Sequence, residues 1–296
     1  MDFSSIPIID ISSLLAKADD QKMGEDPGVL EVVRQLDKAC SEAGFLYVKG
    51  HGVPEALLKE VRDVTRRYFE LPYEEKAKIK MTPATGFRFN MLGYIDLLCY
   101  QRIGENITKG VLDMHEAIDC YREVSKGMYG DLGKVMEGSN QWHAFSPFHH
   151  VSHCNLEKKI MRGIALALGG SPNEFEGQRA GDPFWVMPLI GYPGVSSVRN
   201  LSGKWISASP VPRTFLCNIG NILKIYSNGL YESTLHQMIN NNSKYRVSVI
   251  YFYETNFDTT VSHWTHKMRA NDNMEFKRAV YGEHLIGKVL TNFVDL

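Results

Sequence analysis

The chain carries no excess of charge of either sign: 33 Lys and Arg stand against 34 Asp and Glu, a formal net charge of −1. Such a balance supplies no global field for gathering nucleic acid or an anionic membrane surface, so neither is expected as a partner. Cysteine is also scarce. The five residues Cys40, Cys99, Cys120, Cys154 and Cys217 are odd in number, scattered and never spaced as CxxC. This argues against a disulfide framework and a thiolate zinc site, and points to a reducing compartment. No apolar run approaches the length of a membrane span. The start, Met1-Asp-Phe-Ser-Ser5, has neither the basic nor the apolar segment of a secretory leader, and the final Phe-Val-Asp-Leu is no peroxisomal or retention address. A cytoplasmic protein is the expectation. What the 296 residues do have is 44% hydrophobic and 11% aromatic content with 25 Gly and 12 Pro, the composition of a folded globular chain with a sizeable core.

Strand and helix alternate through the first third. Ile6-Pro-Ile-Ile-Asp10 is β-like, and Val29, Val32, Val33, Leu36 and Cys40 then recur at helical spacing. Phe45-Leu-Tyr-Val48 predicts a strand, Gly50-His-Gly-Val-Pro54 a turn, and Leu58, Val61, Val64 and Tyr68 the apolar stripe of a helix opened by Pro54. In the middle, Ile160, Met161, Ile164 and Leu168 form one helical face that Gly169-Gly170 ends. From about Phe184 the pattern turns to short β-like runs, including Lys204-Trp-Ile-Ser207, Thr214-Phe-Leu-Cys217 and a long run from Tyr245 to Tyr253. Many short strands separated by turn residues describe a sandwich or jelly roll.

Within Tyr245–Tyr253 the side chains alternate with period two, so Arg246 and Ser248 share a face. A guanidinium and a hydroxyl so placed can hold a small carboxylate through a bidentate ion pair and one further hydrogen bond. By spacing alone, an edge-strand Arg facing solvent is the commoner reading. His236, ten residues earlier, is by itself an ordinary structural histidine.

Their context adds more. The string Gly203-x-Trp205, Pro210-Val-Pro212, Asn218-Ile-Gly220, Ser227-Asn-Gly229, His236 and Tyr245-Arg-Val-Ser248 resembles the C-terminal half of the plant-type 2-oxoglutarate and iron(II)-dependent dioxygenases. Ile6-Pro-Ile-Ile-Asp10 and Gly44-Phe-Leu-Tyr-Val-Lys-Gly-His-Gly-Val53 resemble that family's N-terminal region. The resemblance implies an α+β fold: a helix-rich N-terminal region over 1–120, a helical connection over 121–183 and a double-stranded β-helix (jelly-roll) domain over 184–296. It implies Fe(II) and 2-oxoglutarate as cofactors, with iron on two His and one carboxylate and positions left for cosubstrate and dioxygen. Residue by residue, His236 matches a metal ligand, Arg246 and Ser248 match the pair that grips the far carboxylate of 2-oxoglutarate, and Tyr192 in Gly191-Tyr-Pro193 matches a tyrosine beside the same cosubstrate. No residue is assigned as a catalytic acid or base. The implied activity oxidises 2-oxoglutarate to succinate and CO2 while a small organic substrate is hydroxylated or desaturated.

The chain departs from this pattern in blocks. The other two iron ligands form a His-x-Asp pair expected between Tyr192 and Trp205, yet none of the ten histidines is followed two positions later by Asp or Glu. Here Tyr192-Pro-Gly-Val-Ser-Ser197 runs directly into Val198-Arg-Asn-Leu-Ser-Gly203, a shortfall of about two to four strands with their turns, which implies a truncated core. Phe89–Cys99 resembles an insertion, His143–Asn155 does not fit, Pro188 stands where Arg is expected and Asn221 where Asp is usual.

Substitute ligands are few. His149, His150, His153 and Cys154 cluster without a carboxylate nearby, and His263 and His266 flank Trp264; both groups read as surface-exposed. Glu232 reads as a solvated strand-end charge, His51 as a turn-ordering residue, and Arg62, Arg66 and Arg67 as an exposed helix face. Three readings stay open: an impaired or rebuilt oxygenase acting on a small molecule, a non-catalytic 2-oxoglutarate-binding or regulatory protein, and a product that does not fold cooperatively.

Overall fold

The computed structural model describes residues 4–79, 99–102, 107–108, 111–112, 115–138, 140, 155–192, 195–199, 205–239, 245–262 and 278–292. The clusters around His149–Cys154 and His263–His266, and most of the Phe89–Cys99 segment, lie outside these residues. In chain order the strands are β1 (Ile8–Asp10), β2 (Phe45–Lys49), β3 (Cys99–Gln101), β4 (Ile107–Thr108), β5 (Val111–Leu112), β6 (Glu116–Tyr121), β7 (Trp185–Tyr192), β8 (Val195–Arg199), β9 (Trp205–Ser207), β10 (Phe215–Asn218), β11 (His236–Ile239), β12 (Arg246–Val249), β13 (Phe252–Tyr253), β14 (Thr260–Val261) and β15 (Ala279–Val280). The helices are α1 (Ser12–Lys17), α2 (Pro27–Glu42), α3 (Glu55–Phe69), α4 (Tyr73–Lys76), α5 (Gly130–Gly133), α6 (Leu156–Ala167), α7 (Asn221–Tyr226) and α8 (Tyr281–Asn292). Among the described residues no helix is long and apolar enough to cross a membrane.

The predicted helices form for the reasons their sequences state. Asp26 caps α2 by accepting hydrogen bonds from the backbone N–H groups of Gly28 and Val29 at 2.8 and 3.0 Å, with Pro27 in the first turn. Its periodic residues Val29, Val32, Val33, Leu36 and Cys40 are all buried. On α3, Val61, Val64 and Tyr68 are buried while Arg62, Arg66 and Arg67 face solvent. The helix α6 stops before Gly169, where the Gly170 N–H turns back to the Ala165 carbonyl at 3.0 Å.

Two sheets position the candidate residues. In the larger, the order is β12-β7-β6-β3, with β13 also on β7. One face of it packs on α3: Val61, Val64, Tyr68 and Phe69 meet Ile118, Cys120, Met187 and Leu189, flanked by Val247 and Val249. A separate three-stranded sheet has the order β11-β8-β9. Another three-stranded sheet joins the N-terminal region to the C-terminal half, because β2 pairs in parallel with β1 and antiparallel with β10. The main core likewise mixes early and late residues, Leu14, Leu36 and Val48 with Phe184, Tyr231 and Phe257.

One expected element is divided. The long run Tyr245–Tyr253 forms β12 and β13 with a break at Ile250 and Tyr251. Both pieces keep one register on β7, since Val249 lies opposite Leu189 and Phe252 opposite Val186. Pro188 falls at the break; proline has no N–H to return to the facing strand, so only the bond from the Ile250 N–H to the Pro188 carbonyl, 3.0 Å, remains.

Candidate functional site

The face of the large sheet that turns away from α3 brings together three of the four predicted residues. Arg246 lies directly opposite Tyr192 and Ser248 opposite Ile190 in the β12–β7 register. The Arg246 guanidinium carbon sits 5.4 Å from the centre of the Tyr192 ring, a cation–π distance. Burial raises the pKa of the Tyr192 phenol, against the opposing pull of Arg246 and of the neighbouring Ser248 hydroxyl. Tyr192 is buried, whereas Arg246 and Ser248 are half-buried and reachable. The solvent-facing Arg that spacing alone favours is therefore not what the fold contains. His115, which no sequence signal singles out, meets the Tyr192 ring edge-on at 6.0 Å. A guanidinium held flat by a ring, beside a hydroxyl and a phenol, is suited to a carboxylate.

His236 stands elsewhere. It opens β11, opposite Val198 of β8, in the three-stranded sheet. Its imidazole is exposed, with Nδ1 3.2 Å from the Thr234 carbonyl oxygen and the ring edge-on to Phe45 at 5.4 Å. With the proton on Nδ1 and bonded to that carbonyl, Nε2 is the ring's acceptor nitrogen. The approach to His236 is tied to the end of α2: the Tyr231 phenol donates to Asp37 Oδ1 at 2.8 Å, the Glu232 N–H to the Cys40 carbonyl at 3.1 Å, and Thr234 Oγ1 to the Ala43 carbonyl at 2.7 Å. Glu232 is not the solvated charge expected of it, because its carboxylate pairs with Lys224 at 3.1 Å and is only 22% exposed. His51 does order its turn, accepting the Val53 N–H at 3.1 Å on Nδ1 and packing on Phe215. Among the described residues no group of three or more His, Cys, Asp or Glu converges to hold a metal ion.

Comparison with known proteins decides the family. Residues 6–144 match the model described as non-haem dioxygenase in morphine synthesis N-terminal, and residues 180–255 match the 2OG-Fe(II) oxygenase superfamily. The chain is 71% identical to homoarginine-6-hydroxylase 2-ODD-C23 of Glycine max, covering 100% of this chain and 99% of that one. The chain belongs to the 2OG-Fe(II) oxygenase superfamily. Another relative of this oxygenase, homoarginine-6-hydroxylase 2-ODD-C23.1 of Arabidopsis thaliana, is 53% identical over 99% of this chain and 98% of its own.

Among solved structures, a 2OG-Fe(II) oxygenase family protein from Caulobacter crescentus superposes with a TM-score of 0.76 at 19% identity, covering 98% of this chain and 99% of that one. A full-length Neurospora crassa protein solved in complex with alpha-KG and thymine gives 0.75 at 20% identity, covering 97% and 96%. The fold is thus the α+β jelly roll of these oxygenases, and the family is an oxidoreductase family whose cofactors are Fe(II) and 2-oxoglutarate. The alignment with the Glycine max relative spans 338 positions where this chain has 296 residues, so the relative contains sequence with no counterpart here.

Proposed function

We propose that this oxygenase binds 2-oxoglutarate through Arg246, Ser248 and Tyr192, retains His236 as its one family iron ligand, and is catalytically impaired. The observation that carries the reading is the lack, anywhere in the sequence, of a histidine followed two positions later by Asp or Glu, alongside an alignment longer than the chain. The half-buried guanidinium and hydroxyl, with the buried phenol beside them, fit the far carboxylate of 2-oxoglutarate. One exposed imidazole does not fit a resident iron: a single neutral donor competes poorly with water for a weakly held divalent ion. When held by a full ligand set, iron supplies the oxidative decarboxylation of 2-oxoglutarate to succinate and CO2 that is coupled to substrate hydroxylation. In this chain the residues bind and orient the cosubstrate. The names of the relatives support homoarginine, a cationic amino acid, as the substrate of the lineage, and 6-hydroxylation as the step this chain performs poorly or not at all.

The test is an anaerobic titration of the folded protein with Fe(II) and 2-oxoglutarate, following the visible charge-transfer band, with calorimetry of 2-oxoglutarate binding in parallel. The expected result is saturable 2-oxoglutarate binding that Arg246→Ala abolishes, with no band. A saturable band lost in both His236→Ala and Arg246→Ala overturns the impairment and establishes a rebuilt iron site.

A further inference from the structure

Behind the clamp, on the face of the large sheet that packs against α3, lies a polar network that no part of the proposed cosubstrate contact uses. Tyr245 immediately precedes Arg246, so its side chain leaves the sheet on the opposite side. Its phenol donates to Glu116 Oε1 at 2.9 Å. The other carboxylate oxygen of Glu116 receives Lys76 Nζ at 2.7 Å, and both side chains are buried, 8% and 11% exposed. Lys76 Nζ also donates to the Phe69 carbonyl at 3.1 Å, and the Tyr68 phenol to the Lys76 carbonyl at 3.2 Å.

The bond from Tyr245 to Glu116 joins strands that are not neighbours. β7 runs between β12 and β6, and Gly191 of β7 is paired with Val247 on one side and Glu116 on the other. The phenol crosses directly over Gly191: a Cβ there would collide with Tyr245 Oη and lie 3.0 Å from Phe69 Cδ2. On each of the three strands the network residue is chain-adjacent to a residue of the clamp face, Tyr245 to Arg246, Gly191 to Tyr192 and Glu116 to His115. Those three face residues are the ones in ring contact, Arg246 over Tyr192 and His115 against its edge.

We infer that Tyr245, seated on Glu116 and Lys76 across Gly191, is a positioning residue that holds Arg246 over Tyr192 and so sets the affinity for the far carboxylate of 2-oxoglutarate. The inference rests on the clamp reading given above. A strand backbone moves as a unit, so a tether on one face fixes the tilt and register of the next side chain on the other. The Lys76 ammonium, bonded to both Glu116 and the Phe69 carbonyl, holds the tether to the last turn of α3.

The test measures 2-oxoglutarate binding by calorimetry, without added metal, at a temperature where every variant is folded. Tyr245→Phe keeps the ring and loses the donor; it should bind 2-oxoglutarate roughly tenfold more weakly, the loss of one charge-assisted hydrogen bond transmitted to the clamp. Glu116→Gln, whose single amide oxygen cannot accept from both the phenol and the Lys76 ammonium, breaks the same network and should weaken binding by a comparable factor. Tyr226→Phe removes a different buried phenol hydroxyl, the partner of Thr255 at 3.3 Å, and controls for loss of stability alone. Weakening in Tyr245→Phe but not in Tyr226→Phe supports the tether. Binding abolished by Arg246→Ala yet unchanged in Tyr245→Phe overturns the tether and leaves the clamp standing. A parent chain that does not bind 2-oxoglutarate, or an Arg246→Ala variant that binds as well as the parent, overturns the clamp reading and the tether with it.

Discussion

Ile250 faces Pro188 across the β12–β7 ladder and donates its N–H to the proline carbonyl at 3.0 Å, receiving nothing back. Because Val249 is opposite Leu189 and Phe252 opposite Val186, the register never slips; only the hydrogen bonding lapses. Pro188→Val supplies the missing donor. One net hydrogen bond, about 1 kcal/mol, is offset by losing about 0.4–1 kcal/mol of proline's restriction of the unfolded chain. Stability should therefore stay within about 1 kcal/mol, while hydrogen exchange at residue 188 should report a protected amide. A freely exchanging amide there would contradict the account of the strand break.

Lys76 and Glu116 form a buried ion pair, and removing one member strands the other. Lys76→Met or Glu116→Ala alone is expected to lower unfolding free energy by about 3–5 kcal/mol, whereas Lys76→Met combined with Glu116→Gln should recover part of that loss. Urea denaturation of the two singles and the double gives the coupling directly. Additive losses would show that the two charges do not compensate each other.

Gly44 takes a left-handed conformation, φ +65°, and a Cβ there would collide with the Glu232 carbonyl oxygen and lie 2.6 Å from Thr234 Oγ1. Gly44→Ala therefore strains the backbone and pushes away the segment that leads to His236, with an expected cost of more than about 1 kcal/mol. The thermal midpoint should fall by several degrees. In a spectrum of the imidazole protons, the His236 resonance should shift, since its packing on Phe45 follows that segment.

Glu254 provides the pH dependence. Burial pushes its carboxyl from the ordinary 4.5 up to about 7, with nearby Lys288 pulling in the opposite direction. The folded state thus binds this proton more tightly than the unfolded one does. The associated stability is fully present below the unfolded value and is lost as pH rises through about 7. Between those limits stability should fall by up to about 1.4 kcal/mol per pH unit from this group, and Glu254→Gln should flatten the slope. Urea unfolding at intervals across the window checks it; an unchanged slope in the variant assigns the dependence to other groups.

Much of the architecture was legible locally. The stripes of α2 and α3 and the glycine stop of α6 depend on residues three or four positions apart, and period two placed Arg246 and Ser248 on one face without any knowledge of the sheet. The family resemblance and the lack of a His-x-Asp pair are likewise properties of the linear string. Other relationships join distant positions. Tyr245 and Glu116 are 129 positions apart, and nothing in either segment announces the other. That Arg246 lies over Tyr192, that Gly191 clears a path for a phenol, that His115 touches the same ring and that Pro188 divides a strand are decided by register. Register is set by the burial of Met187, Leu189 and Ile118 against α3, because a one-residue slip would turn that apolar set out to water. Periodicity assigns a side chain to a face; only the packed sheet decides which side chain it meets there.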